Sequence, residues 1–301
     1  MIASRIVNWG LLFIAMVLVF GCVHGNAISD HNAYLVAYYP FDGDANDGSG
    51  NNNHGRLFGD VALTEDRSGN PNGAYRFDGS DNGIWVRPST SLNLANFSRG
   101  YTVAVWIKTS GVSSGYQNII SKQFSRPGFP PNMHAAFFLR LNENRIEAGH
   151  ANPDGTDIVF QSSKPLAKNT WYHLAITWKN ATPNVRTVYL NGKKVLGGGG
   201  IMKGLFTVGN DSGDSIGYFR LHEANKWYFS GTIDEVRIYR RALTIAQIEQ
   251  VIGQGVAIND SDADGVSDQT DNCPDDYNPA SADCTPCMEA IKNIQTAVFD
   301  Y

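Results

Sequence analysis

The sequence predicts an all-β protein built as a two-sheet antiparallel sandwich, and three observations carry that prediction. Short runs alternate apolar residues with others at the period of a strand, as in Tyr101–Ile107 and Trp171–Trp178. Turn-forming stretches rich in Asn, Asp, Gly and Ser separate the runs, and the chain holds 31 Gly. No long amphipathic helix lies between the runs, so the crossovers of a parallel sheet have nothing to be made from. Hydrophobic residues make up 42% of the 301, which is enough for a sizeable core. Charged residues are 18% and the net charge is -5, with no basic run. That balance argues against nucleic-acid binding, which needs a positive footprint.

Taken in order, residues 1–27 read as an export signal. Arg5 supplies a positive charge ahead of the apolar run from Gly10 to Phe20, which is too short to span a bilayer. Val19-Phe20-Gly21-Cys22 resembles a bacterial lipobox, which implies lipidation of Cys22, although Phe20 stands where that motif usually has a smaller or β-branched residue. The alternative is cleavage near Gly25 or Ala27. Either route places the mature chain outside the cytoplasm, at the cell surface, anchored to an outer membrane or secreted. The only membrane contact expected is through that lipid.

The sandwich is expected over 30–253. In Tyr101–Ile107 one face carries Tyr101, Val103, Val105 and Ile107, and the other carries Trp106, so the strand should be central and covered on both sides. Tyr172, Leu174, Ile176 and Trp178 share one face of the next clear strand. His173, on that core-like strand, reads as a satisfied structural histidine. Val185–Leu190, Asn191-Gly192 and Lys193–Val195 form a hairpin, because Asn-Gly supplies the two positive-φ positions of a type I′ turn. Gly231–Tyr239 is the last strand. Thr244 with Gln247 then makes a capping box for a short helix with an apolar stripe of Ile245, Ile248 and Ile252.

Four segments together resemble the LamG-like, concanavalin A-type jelly-roll family. They are Y-Y-P-F-D-G-D-A-N-D-G-S-G-N-N-N-H-G at 38–55, Y-R-F-D-G-S at 75–80, W-Y-H-L-A-I-T-W at 171–178 with V-Y-L-N-G-K-K-V at 188–195, and G-T-I-D-E-V-R-I-Y-R-R-A-L at 231–243. The resemblance implies two packed antiparallel sheets, a carbohydrate or extracellular protein ligand, and a structural calcium ion. Asp42, Asp44 and Asp47 crowd a Gly- and Asn-rich turn that could offer the oxygen ligands calcium takes; they could equally be turn formers. Asp234 lies in an apolar strand where an unpaired carboxylate is costly. Related folds use an acidic residue at this place on the ion, and capping a neighbouring backbone is the other reading.

A linker at 254–259 leads to an acidic segment, 260–287, and a short tail, 288–301. The segment D-S-D-A-D-G-V-S-D-Q-T-D-N-C-P at 260–274 resembles a thrombospondin type-3 repeat. Asp260, Asp262 and Asp264 stand at alternate positions, Gly265 makes the sharp turn, and Val266 offers its carbonyl. Asp268 and Asp271 would complete a calcium-binding loop, and an acidic disordered linker is the other reading. Cys273 is expected to pair with Cys284 or Cys287, closing a short loop in a segment with little core.

Catalytic signatures do not assemble. Gly111–Gly115 and Gly213–Gly217 match G-x-S-x-G, but neither has the strand-then-helix setting of a nucleophile elbow. Glu143 and Glu147 flank a hairpin, and adjacent Asp234 and Glu235 should project to opposite faces of a strand. Neither pair suits a retaining glycosidase, whose carboxylates stand about 5–5.5 Å apart across one cleft. The expectation is a non-catalytic recognition module. Loop aromatics such as Trp85, Tyr116, Phe124, Phe129 and Trp227 could stack on sugar rings, and local packing within a loop is the leading reading for each taken singly. A structural or protein-adhesion module and a polysaccharide-active hydrolase are the other readings.

Overall fold

The computed structural model describes residues 31–253 apart from 94–96, 98, 112–114, 125–133, 152–156, 180–183, 201–210 and 223–224. These residues belong to one of the chain's two compact units, His31–Gly255. The expected export segment with Cys22, the expected linker, the acidic stretch from Asp260 to Asp271, the three tail cysteines and the last fourteen residues lie outside the described residues, as does Phe129.

The described strands are β1 (Leu35–Tyr39), β2 (Gly55–Phe58), β3 (Ala62–Thr64), β4 (Ala74–Asp78), β5 (Gly83–Val86), β6 (Tyr101–Thr109), β7 (Tyr116–Phe124), β8 (His134–Asn142) and β9 (Arg145–Ala151). They continue as β10 (Asp157–Pro165), β11 (Trp171–Lys179), β12 (Asn184–Leu190), β13 (Lys193–Gly200), β14 (Asp211–Ile216), β15 (Tyr218–His222), β16 (Asn225–Tyr228) and β17 (Ser230–Tyr239). The first sheet runs β13-β12-β11-β6-β17-β4-β3, with β1 also on β17. The second runs β10-β9-β8-β7-β14-β5-β2, and β15 pairs with β16 as a separate ribbon. The pairings within both sheets are antiparallel. The predicted all-β sandwich is what the chain forms, with a single short α-helix among the described residues, α1 (Ile245–Gly253), and a 3-10 turn at His31–Tyr34.

Strand periodicity places the core. Val103, Val105 and Ile107 of β6 and Leu174, Ile176 and Trp178 of β11 point inward from the first sheet. Ile120, Leu139 and Leu141 meet them from the second, and all are buried. Each such side chain contributes about 1.5–3 kcal/mol by leaving water. The other face of β6 is covered too, as its sequence predicts. Ala104 and Ala175 are small enough to let α1 lie across the sheet, where Ile248 and Val251 pack with Tyr239 and Leu243. Ile245 is not part of that stripe: it is 49% exposed, and the buried face of α1 is Ile248 and Val251 with Ile252 beside them. The capping box is formed in full, with Gln247 N donating to Thr244 Oγ1 (3.3 Å) and Thr244 N donating to Gln247 Oε1 (3.0 Å).

Turn chemistry closes the hairpins. Asn191 (φ 48°) and Gly192 (φ 74°) join β12 to β13. The β8–β9 turn uses Glu143 (φ 50°) and Asn144 (φ 60°), a pair without glycine that composition does not flag. Between the sheets lies one buried ion pair that the sequence also conceals. Lys122 Nζ of β7 stands 3.3 Å from Asp214 Oδ2 of β14, both side chains 1% exposed.

Candidate recognition site

The expected calcium carboxylates of the sandwich are placed individually. Asp47 is a loop organiser: Oδ1 accepts from the Tyr38 and Ser49 backbone N–H groups, and Oδ2 accepts from Ser49 Oγ and Asn53 N, all at 2.9 Å. Asp44, exposed, accepts from its neighbour Asn46. Asp42 is exposed as well, and partial desolvation and then Asp66 push its carboxyl up against the pull of Arg67. Asp234 pairs with Arg67 at 3.2 Å. Among the described residues no three His, Cys, Asp or Glu side chains stand together in a way that could hold a metal ion. Asp47 has its oxygens met by protein donors, and Asp234 Oδ2 faces a guanidinium while the buried Oδ1 has no hydrogen-bond partner.

Asp234 belongs to a polar cluster on the outer face of the first sheet. Asp66 accepts from Ser68 N, Asn70 N and Asn70 Nδ2, and this turn carries Arg67 onto the sheet. There the Arg67 guanidinium lies 4.8 Å above the Trp106 ring as it meets Asp234. Glu235 does not project to the opposite face as a regular strand would require. It has φ +53°, and the β17–β6 register shifts between Asp234 and Arg237, the mark of a bulge. Asp234 is opposite Trp106 and Arg237 is opposite Ala104, both outward positions, and Glu235 is paired with Arg237. Tyr38 Oη donates to Glu235 Oε1 (3.1 Å), and Arg237 stacks 4.2 Å over the Tyr38 ring. Burial and then Glu235 raise the Asp234 carboxyl to about 8 in spite of Arg67. His173 packs edge-on to Trp106 (5.3 Å), and neither of its ring nitrogens finds a hydrogen-bond partner, so it is structural without being satisfied. Burial first, then Arg237 and Arg67, push it down to about 3.

The outer face of the second sheet is different in kind. Strand alternation sends Tyr116 of β7, Phe138, Arg140 and Asn142 of β8, Glu147 of β9 and Gln161 of β10 outward from the core face. Arg140 is the hub. Its guanidinium lies 4.0 Å from the Tyr116 ring centroid, 4.3 Å from Phe138 and 5.0 Å from Trp227. It is aimed by Glu147, which accepts from Arg140 Nε (2.7 Å), Asn142 Nδ2 (2.9 Å) and Gln161 Nε2 (3.0 Å). The β15–β16 ribbon brings Phe219 and Trp227 onto the same face, stacked at 5.3 Å and 18°. Tyr116 stands 4.8 Å from Trp227 and is 37% exposed. Two of the five aromatics singled out in the sequence, Tyr116 and Trp227, are therefore neighbours in space. Arg140 and Glu147, which hold the arrangement, were not among the binding candidates, because only strand pairing brings them beneath the rings. Trp85 lies on β5 with intermediate exposure, and the Phe124 side chain is outside the described set.

Of the rings in this cluster Tyr116 is exposed and Trp227 half-buried, while Phe138, Phe219 and Glu147 are buried beneath them. Glu147 is held by three donors as a fixed acceptor, which suits orientation of a neighbour. The Gly213–Gly217 motif is no nucleophile elbow, since Ser215 sits within β14 and is buried.

Comparison with known proteins extends the geometry. Among solved structures, the receptor-binding domain of a botulinum neurotoxin C/D mosaic serotype superposes with a TM-score of 0.55 at 19% identity, covering 74% of this chain and 52% of that one. The binding domain of Paraclostridial Mosquitocidal Protein 1 gives 0.57 at 17% identity, covering 76% and 54%. A botulinum neurotoxin type C structure, described by its interaction with two ganglioside molecules, gives 0.60 at 14% identity, covering 78% and 54%. The chain thus spans about half the length of these structures, and at such identities they share its fold. No curated protein sequence matches it. The family model described as the concanavalin A-like lectin/glucanases superfamily matches residues 78–249, over half of the chain, and the protein belongs to that family.

Proposed function

We propose that the protein is an exported, non-catalytic recognition module that binds carbohydrate through the outer face of its second sheet. The observation that carries this reading is the Tyr116–Arg140–Trp227 cluster, with Arg140 clamped by Glu147. Aromatic planes stack on the C–H faces of sugar rings, and a rim of fixed donors and acceptors orients hydroxyls. The toxin domains of the same fold that engage gangliosides or, in one complex, SialylT are consistent with it. A protein ligand is the second reading, since a botulinum neurotoxin DC binding domain of this fold is described in complex with rat synaptotagmin II. Export rests on residues 1–27, with Cys22 as lipid attachment point or cleavage at Gly25 or Ala27. Calcium belongs, in this proposal, to the loop of Asp260, Asp262, Asp264, Val266, Asp268 and Asp271, stapled by a Cys273 disulfide to Cys284 or Cys287.

The test is a glycan array on the mature chain in calcium, beside a reducing-sugar assay on the same polysaccharides. A glycan should be retained without turnover. Trp227→Ala and Tyr116→Ala should each weaken it about tenfold or more while leaving the thermal midpoint within a few degrees. Retention unchanged in both variants would remove the platform from the reading. Release of reducing ends that a Glu147→Gln substitution abolishes would make the protein a hydrolase.

A further inference from the structure

Arg186 of β12 is a cation in the wrong medium. In register it faces Trp178 of β11, which in turn faces Tyr101 of β6, so all three project between the sheets. The residue is 4% exposed, and none of its three guanidinium nitrogens has a hydrogen-bond partner or touches solvent. Its other neighbour in the sheet is Gly198 of β13, which has no side chain to fill the space beside it. A Cβ there would stand 3.0 Å from the Phe160 ring of β10, so the edge strands of the two sheets meet closely. What remains is a cavity of about 20 Å³ beside Arg186, walled by Tyr101, Phe160, Ile176 and Val188 and also by Thr177 and Thr187.

A buried guanidinium without a counter-charge is among the costliest arrangements in a protein interior, and arginine cannot escape by losing its proton. Water in the cavity would satisfy N–H groups and leave the charge uncompensated. Among the described residues, Tyr101 is the titratable group whose charge bears on Arg186, and burial holds its phenol neutral. We propose that Arg186 is the receptor of a small inorganic monoanion, such as chloride, held in the cavity between the two sheet edges. The space admits a halide: one water needs roughly 10–15 Å³ on this scale, and the cavity exceeds that. The charge argument sets the valence, because one guanidinium neutralises one negative charge and no second cation lines the cavity.

The experiment compares thermal midpoints of the full chain in sodium chloride and in sodium gluconate at equal ionic strength, for the native protein and Arg186→Met. The native midpoint should climb with chloride, and once the site is filled it should keep rising with the logarithm of the chloride concentration. Once chloride exceeds its dissociation constant a hundredfold, the rise should be about 5–10 °C for a domain of this size. Arg186→Met should show no difference between the two salts. Because that variant could fold poorly, crystals of the native protein grown in bromide give a second reading: an anomalous peak in hydrogen-bonding range of the guanidinium. A midpoint indifferent to chloride in the native protein would overturn the proposal, as would an equal response in both proteins or a cavity that holds only water.

Discussion

At the scale of single residues, two buried groups on the outer face of the first sheet set opposite pH dependences. Asp234 is held up to about 8, where an unfolded aspartate titrates near 4. Between those values the folded chain keeps a proton that the unfolded chain has lost, so stability falls as pH rises, by at most about 1.4 kcal/mol per pH unit. His173 is held down to about 3 against an ordinary 6.5. Between those values the unfolded chain holds the extra proton, and stability rises with pH. The two effects overlap from about pH 4 to 6.5 and offset each other there. Asp234→Asn should therefore steepen the rise of the thermal midpoint from pH 4 to 6.5 and flatten its fall from 6.5 to 8. His173→Gln should do the reverse in the acid window. Identical profiles in native protein and Asp234→Asn would mean that Arg67 outweighs burial and keeps Asp234 ionised. The sequence marked Asp234 as a carboxylate in an apolar strand. It could not show Arg67, which lies 167 residues away, nor the bulge at Glu235, because a positive φ at glutamate has no local signature.

Elements were legible where their determinants are local. The Asn191-Gly192 turn and the Thr244–Gln247 capping box depend on residues within one turn of each other, and both form as their chemistry demands. Thr244→Ala should remove the cap and cost about 1 kcal/mol, a loss of roughly 2–4 °C in the thermal midpoint. An unchanged midpoint would mean that α1 is held by Ile248 and Val251 alone. What was not legible is pairing across strands. Lys122 and Asp214 are 92 residues apart, and each looks like an ordinary strand polar residue until β7 and β14 become neighbours. Removing one partner leaves the other charge buried, so Lys122→Met should cost about 3–5 kcal/mol in urea unfolding. The double replacement Lys122→Met with Asp214→Leu should cost far less than the sum of the single changes. Additive losses would show that the two charges do not depend on each other.

For the whole molecule, alternation along strands was enough to predict two sheets and a core, while strand order was not recoverable, since β17 finds β6, β4 and β1 from more than a hundred residues away. The recognition platform shares that limit: Tyr116 and Trp227 were visible singly, and only the fold makes them one surface with Arg140. The same division of labour bears on calcium. In the sandwich, Asp47 is met by backbone and hydroxyl donors, and Asp234 meets Arg67 through Oδ2 while its buried Oδ1 has no hydrogen-bond partner. The stretch from Asp260 to Asp271 has Val266 as its one large apolar residue, so an ion bound there, as proposed, would contribute folding free energy directly. Scanning calorimetry of the full chain should accordingly show a calcium-dependent transition that chelator abolishes, and a main sandwich transition that shifts little. Asp264→Asn should erase the first and spare the second. If chelator instead lowers the main transition in Asp264→Asn as much as in the native chain, a cation is bound within residues 31–253, and Asp42 and Asp44, the exposed carboxylates of the first loop, are where it would have to be sought.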